Sequence, residues 1–323
     1  MAFVVPTVWC GFSFRSLRRF LIQSLCVSAS KPMPPMIRSL VVLCSVSIFA
    51  SNGGPVTASP RKQETTFEHV LLPVVGKPAH PLGLACNYGI DSRGVREACD
   101  AGLNYIFWTG MRTKKALAGV REALATDRER MILCAGTGGP FGFHYRSAVE
   151  SLLRKMKTDY IDIFQMFWLG VTAWDTRGVI DELVALRTEG KIRAIGVTIH
   201  NRTRAGRLAA NSELDMLQIR YNAAHPGAEQ DIFPHLARER RFLCCYTATS
   251  WRKLLKPHKG WDGKIPNAAD CYRFSLTHPS IPVCLSGPAS SEQLRENLEG
   301  VAKGPMNHEE ISWMRSFGKV VHG

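Results

Sequence analysis

The sequence is poor in the spacings that most directly announce chemistry. It has no CxxC pair, no HExxH or comparable cluster of metal ligands, no nucleophile elbow, and no GxGxxG between its first strand candidate and the helix that follows. These absences exclude a zinc ribbon, a zincin, an α/β-hydrolase site and a dinucleotide fold of the doubly wound type. Long apolar runs are also missing: the longest, Leu40–Ala50, is about eleven residues, too short for a stable membrane span. The ten cysteines do not form a disulfide framework, because Cys10, Cys26 and Cys44 fall near the N-terminus and the other seven are scattered and odd in number. Cys86, Cys134, Cys244, Cys245 and Cys284 lie in apolar runs, where a thiol acts as a small hydrophobe, and this favours a reducing compartment.

Acidic residues are absent from residues 1–63, which carry Arg15, Arg18, Arg19, Lys31, Arg38, Arg61 and Lys62. Those seven account for half of the formal charge of +14, so the rest of the chain is only mildly basic. No basic stripe is interleaved with aromatics, which excludes a nucleic-acid surface; the one dense basic run, Arg252–Lys259, reads as a solvated loop. The Arg- and Ser-rich, acid-free composition predicts a leader over 1–63, ahead of one domain over 64–323. Organelle import, mitochondrial or plastid, is the favoured destination over secretion. The secretory alternative rests on Arg38, the run after it and the small residues near Ala58, read from Met36; if the leader is not translated, the protein is cytoplasmic.

From Pro81 onward, short apolar runs alternate eight times with segments of helical period. The strand candidates are Leu82–Cys86, Tyr105–Thr109, Met131–Ala135, Tyr160–Phe167, Ile192–Thr198, Met216–Tyr221, Phe242–Thr247 and Ile281–Ser286. Between them, Val149, Leu152, Leu153 and Met156 illustrate the single apolar stripe of a helix that packs on a sheet. Continuous apolar strands covered by such helices make a parallel sheet buried on both faces, and eight units in about 240 residues fit one (β/α)8 barrel. Gly136–Gly142 is expected to be a loop, and His308–Val321 one last amphipathic helix.

The stretches TDYIDIFQMFWLG (Thr158–Gly170), EGKIRAIGVT (Glu189–Thr198) and SGPASSEQLRENLEG (Ser286–Gly300) resemble the aldo-keto reductase family, over about residues 66–300. The resemblance implies a short hairpin closing the barrel bottom before the first strand, and NADP as cofactor, with NAD not excluded. It places Gly287, Pro288, Ala289 and Ser290 around the phosphates, Gln293 near the 2′-phosphate, and Glu296 with Asn297 at the adenine. At the nicotinamide end it assigns Gln218 and Thr198 to the carboxamide and Tyr246 to ring stacking, with Thr247 next to it; Ile199 stands where a second carboxamide contact is expected.

The family's Asp, Tyr, Lys and His tetrad is not kept: those positions hold Phe107, Arg112, Gly136 and Phe167. Loss of a positioned acid costs ~10²- to 10⁴-fold in rate. Two readings therefore stand, a divergent NADP(H)-dependent oxidoreductase with a non-standard site and a noncatalytic nucleotide-binding sensor or interaction protein. Phe107, Trp108, Phe167 and Trp168 suggest an aromatic wall for a small aromatic or apolar ligand, packing of the barrel mouth being the alternative. Tyr88 is the leading replacement donor; His200, Arg220, Tyr221 and His225 are further polar groups near strand ends. Oligomeric state has no signature in the sequence.

Overall fold

The structure, a computed structural model, describes residues 66–322. The expected leader and its targeting signals lie outside the described residues.

A two-stranded antiparallel hairpin, β1 (Val70–Leu71) and β2 (Pro78–Ala79), precedes the barrel. Eight parallel strands follow: β3 (Leu82–Ala85), β4 (Tyr105–Trp108), β5 (Ile132–Thr137), β6 (Ile161–Met166), β7 (Ile192–Ile199), β8 (Met216–Arg220), β9 (Phe242–Tyr246) and β10 (Val283–Ser286). They close in chain order, with β10 pairing both β9 and β3. Eight of eight strand candidates therefore exist, with ends shifted by one or two residues. The helices are α1 (Ser92–Asp100), α2 (Leu117–Thr126), α3 (Gly142–Met156), α4 (Arg177–Thr188), α5 (Arg202–Ala210), the short α6 (Ala228–Asp231), α7 (Ala268–Thr277), α8 (Ser291–Val301) and α9 (His308–His322). Several start on side-chain caps: Asp91 accepts from Gly94 N at α1, Asn201 from Arg204 N at α5, and Asn267 and Asp270 form a reciprocal capping box at α7.

Alternation along the strands divides the core in two. Outward residues such as Trp108, Phe164 and Leu217 pack under the helices. On α3, Val149 and Met156 of the anticipated stripe are fully buried. Inward residues fill the lumen: Tyr105, Ile132, Cys134, Ile163, Phe242 and Cys244 are buried there, and Leu72, Val75 and Ala79 of the hairpin plug it from below. The five cysteines expected to be buried are buried and free.

The lower end is sealed by charge. Asp162, fully buried on β6, pairs with Lys77 Nζ at 2.8 Å and Arg128 at 2.7 Å, and accepts from the Leu133 amide at 2.9 Å. Tyr160 is held between the guanidinium groups of Arg128 and Arg193, 3.6 and 3.9 Å from its ring centre. Burial pulls the Lys77 ammonium below the usual lysine range, against the hydrogen bond and charge of Asp162.

Two local expectations are corrected. Gly136–Gly142 is not all loop: Gly136 and Thr137 end β5 and Gly142 starts α3. Arg252–Lys259 is not a plain solvated loop, because Lys253–Leu255 forms a 3-10 turn that drives Leu254 into the core. A single leucine supplies the burial energy that a purely basic segment lacks.

Candidate functional site

The C-terminal ends of the strands carry two stacked levels of side chains, set by the two-residue period of strands. The lower is polar and buried. Thr198 Oγ1 donates to Gln165 Oε1 at 2.7 Å, and Gln165 Nε2 donates to Gln218 Oε1 at 3.0 Å, with Cys134 Sγ 3.1 Å from the same nitrogen. Among the described residues Gln218 itself donates no hydrogen bond, so its NH2 group remains available. Thr198 and Gln218 thus come together as the resemblance expects. Gln165, which ties them, was missed; its signal was an amide on the inward face of an otherwise apolar strand.

Beside this layer lies hydrocarbon. Phe107 and Phe167 meet edge to face, ring centres 6.0 Å apart. Gly136 sits under them: a Cβ added there would collide with the Gln165 carbonyl and come within 2.7 Å of the Phe167 ring. Phe167 therefore takes the space into which a lysine at 136 would project. The four-residue aromatic wall is corrected to two, because Trp108 faces outward into the helix layer and Trp168 is 40% exposed on the rim. Strand alternation sends neighbours to opposite faces, so two adjacent aromatics cannot both line the lumen. Arg112 is exposed in the loop after β4, at φ 54°, with no ion pair among the described residues.

The upper level belongs to β7, β8 and β9. The Tyr246 hydroxyl lies 3.0 Å from His200 Nε2, and Arg220 stands on the strand between them, in register with Tyr246. Burial pushes the Tyr246 phenol well above the usual tyrosine range. Burial and the Arg220 charge lower His200, so its imidazole is neutral near pH 7 and can accept the phenol proton in a hydrogen bond. His225 hydrogen-bonds Asn222 Oδ1 at 3.1 Å, and burial followed by Arg220 brings it down to about 4. Tyr221 is not at the mouth: it is buried in the outer core, its hydroxyl donating to Glu229 at 2.7 Å.

The loop after β9 is bent hard. Thr247, Ser250, Trp251 and Arg252 all have positive φ, and the β-branched Thr247 at 56° is held by its carbonyl accepting from Asn222 Nδ2 at 2.8 Å. At the end of β10, Ser290 caps α8, Gln293 Oε1 accepts from Ala289 N at 2.9 Å, and buried Asn297 donates to Ser286 Oγ at 3.1 Å. Pro288 is buried; Ala289, Gln293 and Glu296 face solvent.

Tyr88 lies against this loop, its ring on the face of Gly287 where a Cβ would collide. It is 56% exposed, and its hydroxyl makes no hydrogen bond among the described residues. No group orients it as an acid. The described residues contain no cluster able to hold a metal ion and no helix long and apolar enough to cross a membrane.

Comparison with known proteins agrees with this architecture. The family model for the aldo/keto reductase family matches residues 92–250. A methylglyoxal reductase of Escherichia coli, YeaE, is 26% identical over 55% of this chain and 64% of its own length. An NADH-specific methylglyoxal reductase of the same organism is 31% identical over 47% of this chain and 58% of its own. The chain thus spans less than two thirds of both relatives. A Klebsiella pneumoniae aldo/keto reductase solved with NADP and acetate superposes with TM-score 0.62 at 21% identity, over 80% of this chain and 96% of that one. With eight parallel strands closed in chain order, a hairpin beneath them and this match across the middle of the barrel, the chain belongs to the aldo/keto reductase family.

Proposed function

We propose that this protein binds NADP(H) across the C-terminal face of its barrel and acts as an oxidoreductase with a non-standard site, slow toward ordinary aldehydes and ketones. The observation that carries the reading is a split within one mouth. The Thr198–Gln165–Gln218 layer and Tyr246 persist at the nicotinamide end, while the four proton-handling positions hold Phe107, Arg112, Gly136 and Phe167.

These residues fit the dinucleotide at one end and require small movements at the other. The free NH2 of Gln218 can donate to a carboxamide oxygen, and the ring of Tyr246 offers a stacking face. At the phosphate loop, Gln293 already closes the Ala289 amide and Tyr88 covers Gly287, so both exposed side chains swing aside on binding. A bound dinucleotide would supply the hydride for reduction of a carbonyl or quinone acceptor. Phe107 and Phe167 give that acceptor an apolar floor and exclude water from it. The Tyr246 hydroxyl is engaged with His200 at 3.0 Å, and a residue that offers its ring for stacking would not also be the acid. Proton delivery therefore falls to solvent, or the acceptor needs little of it.

The choice of NADP(H) over NAD(H) takes support from the Klebsiella complex, whereas the NADH-specific relative shows that both occur in similar proteins. A second reading, a noncatalytic NADP(H)-binding sensor, draws on the same Phe167 ring: it blocks position 136, so no rotamer change rebuilds the missing acid. The test is tryptophan-fluorescence titration with NADPH and NADH, followed by NADPH oxidation with aldehydes and quinones. Saturable micromolar binding with turnover supports the oxidoreductase, binding without turnover supports the sensor, and no binding up to millimolar nucleotide rejects both.

A further inference from the structure

Arg220 is the least explained charge in the barrel. It is half-buried at the end of β8, yet among the described residues it makes no ion pair and no hydrogen bond. Its neighbour Arg202 is already matched by Asp231 at 2.8 Å. The charges that face His225 are Arg220, Lys253, Arg202 and, when protonated, His322; none is negative. Removing a cation from water without a partner costs several kcal/mol in the general case, so such groups are normally paired. Here no carboxylate among the described residues pairs with it, and His200, Arg202 and His225 stand beside it around the ends of β7 and β8.

The geometry points to an oxyanion subsite: we propose that Arg220, with His200 and His225, takes the carboxylate of a small oxo acid, which is thereby held beside the acceptor position. This rests on the dinucleotide reading above. An arginine presents a planar fork that matches a carboxylate in two parallel hydrogen bonds. His200 and His225 add ring nitrogens that become donors once an anion arrives, since a neighbouring negative charge favours the protonated imidazole. Arg220 ends β8 and does not belong to the phosphate loop after β10. Its position is equally telling: Arg220 is two residues beyond Gln218 on the same inward face and in register with Tyr246, so an anion bound there carries its neighbouring carbonyl toward the Phe107–Phe167 floor. The same oxyanion chemistry could come from a phosphate of the dinucleotide, and the experiment separates the two sources.

The full-length chain is titrated calorimetrically with oxamate, an unreactive oxo-acid mimic, with inorganic phosphate, and with NADPH, for wild type, Arg220→Met, Arg220→Lys and the remote control Lys303→Met. The expected result is oxamate binding to the NADPH complex that weakens about tenfold or more in Arg220→Met, since charged hydrogen bonds each contribute ~1.5–3 kcal/mol. Arg220→Lys should fall between, because charge stays but the fork is lost, and Lys303→Met should match wild type. If Arg220→Met fails to fold, the Arg220→Lys arm carries the test: unchanged oxamate affinity overturns the subsite. Weakened NADPH with unchanged oxamate overturns it in favour of a dinucleotide phosphate. Arg220-dependent oxamate binding in a protein that binds no NADPH supports the subsite and rejects the dinucleotide reading. Absence of oxamate binding by wild type overturns the proposal outright.

Discussion

The two ends of the barrel spend charge in opposite ways. At the lower end Lys77 and Arg128 converge on buried Asp162, and Tyr160 is held between the guanidinium groups of Arg128 and Arg193. At the upper end Arg220 has no counter-charge among the described residues, two phenylalanines stand where the resemblance places polar groups, and Met111, Phe141, Trp168, Val171, Trp174 and Trp251 are exposed on the loops, with Phe143 exposed in the first turn of α3. Satisfied polar groups and a plugged lumen stabilise; unmatched charge, exposed apolar surface and strained loops cost stability and persist where a ligand completes them. The lower end thus belongs to folding and the upper end to binding.

That contrast breaks most severely at Asp162. Asp162→Asn should cost about 3–5 kcal/mol, because buried Lys77 and half-buried Arg128 lose their counter-charge; urea unfolding monitored by circular dichroism measures it, and a cost below about 1 kcal/mol would remove the lower end's assigned role.

Acid comes next. Burial holds His80 at about 4, and its Nδ1 accepts from the Leu82 amide at 3.0 Å. The unfolded chain takes up this proton near pH 6.5 and the folded chain only near pH 4. Below 6.5 the unfolded state binds more protons, so stability falls as pH drops through that window, by roughly 2–3 kcal/mol in total. His80→Asn should flatten that part of the pH–stability profile.

At the upper end the order of effects reverses. Tyr246→Ala should change stability by less than about 1 kcal/mol beyond its lost burial partners yet weaken NADPH about tenfold, in line with ~0.5–1.5 kcal/mol for aromatic stacking. Equal nucleotide affinity in the variant would place the nicotinamide elsewhere. The smallest effect has the opposite sign: Tyr88→Ala uncovers Gly287 and should tighten NADPH about two- to fivefold, on the order of 0.5–1 kcal/mol. Loss of NADPH-dependent turnover in Tyr88→Phe, with binding kept, would instead revive Tyr88 as the proton donor.

Much of this was legible in residue order, for a physical reason. Strands of a (β/α)8 barrel are buried on both faces, so Ile161–Met166 and Met216–Arg220 read as apolar runs whatever they touch. Thr198, Gln218 and Tyr246 were reached through the family resemblance, and the barrel brings together the strand ends that carry them. Gln165 was hidden because an amide in an apolar strand has no meaning until its partners at 2.7 and 3.0 Å are placed. Trp108 misled because sequence adjacency to Phe107 says nothing about which face a side chain takes until register is known. Arg220 read only as one of several polar groups near strand ends, because the sequence does not show which of them lack partners.

The sequence by itself determined the eight-fold alternation and the buried thiols, and it named Phe107, Arg112, Gly136 and Phe167 at the four positions that the resemblance compares, since periodicity and residue identity are local properties. Only the tertiary structure decided that Phe167 closes the space above Gly136, that Tyr246 meets His200, and that Arg220 is left without a counter-charge among the described residues. Each of these depends on distances between strands far apart in the chain, which barrel closure sets and no stretch of sequence carries.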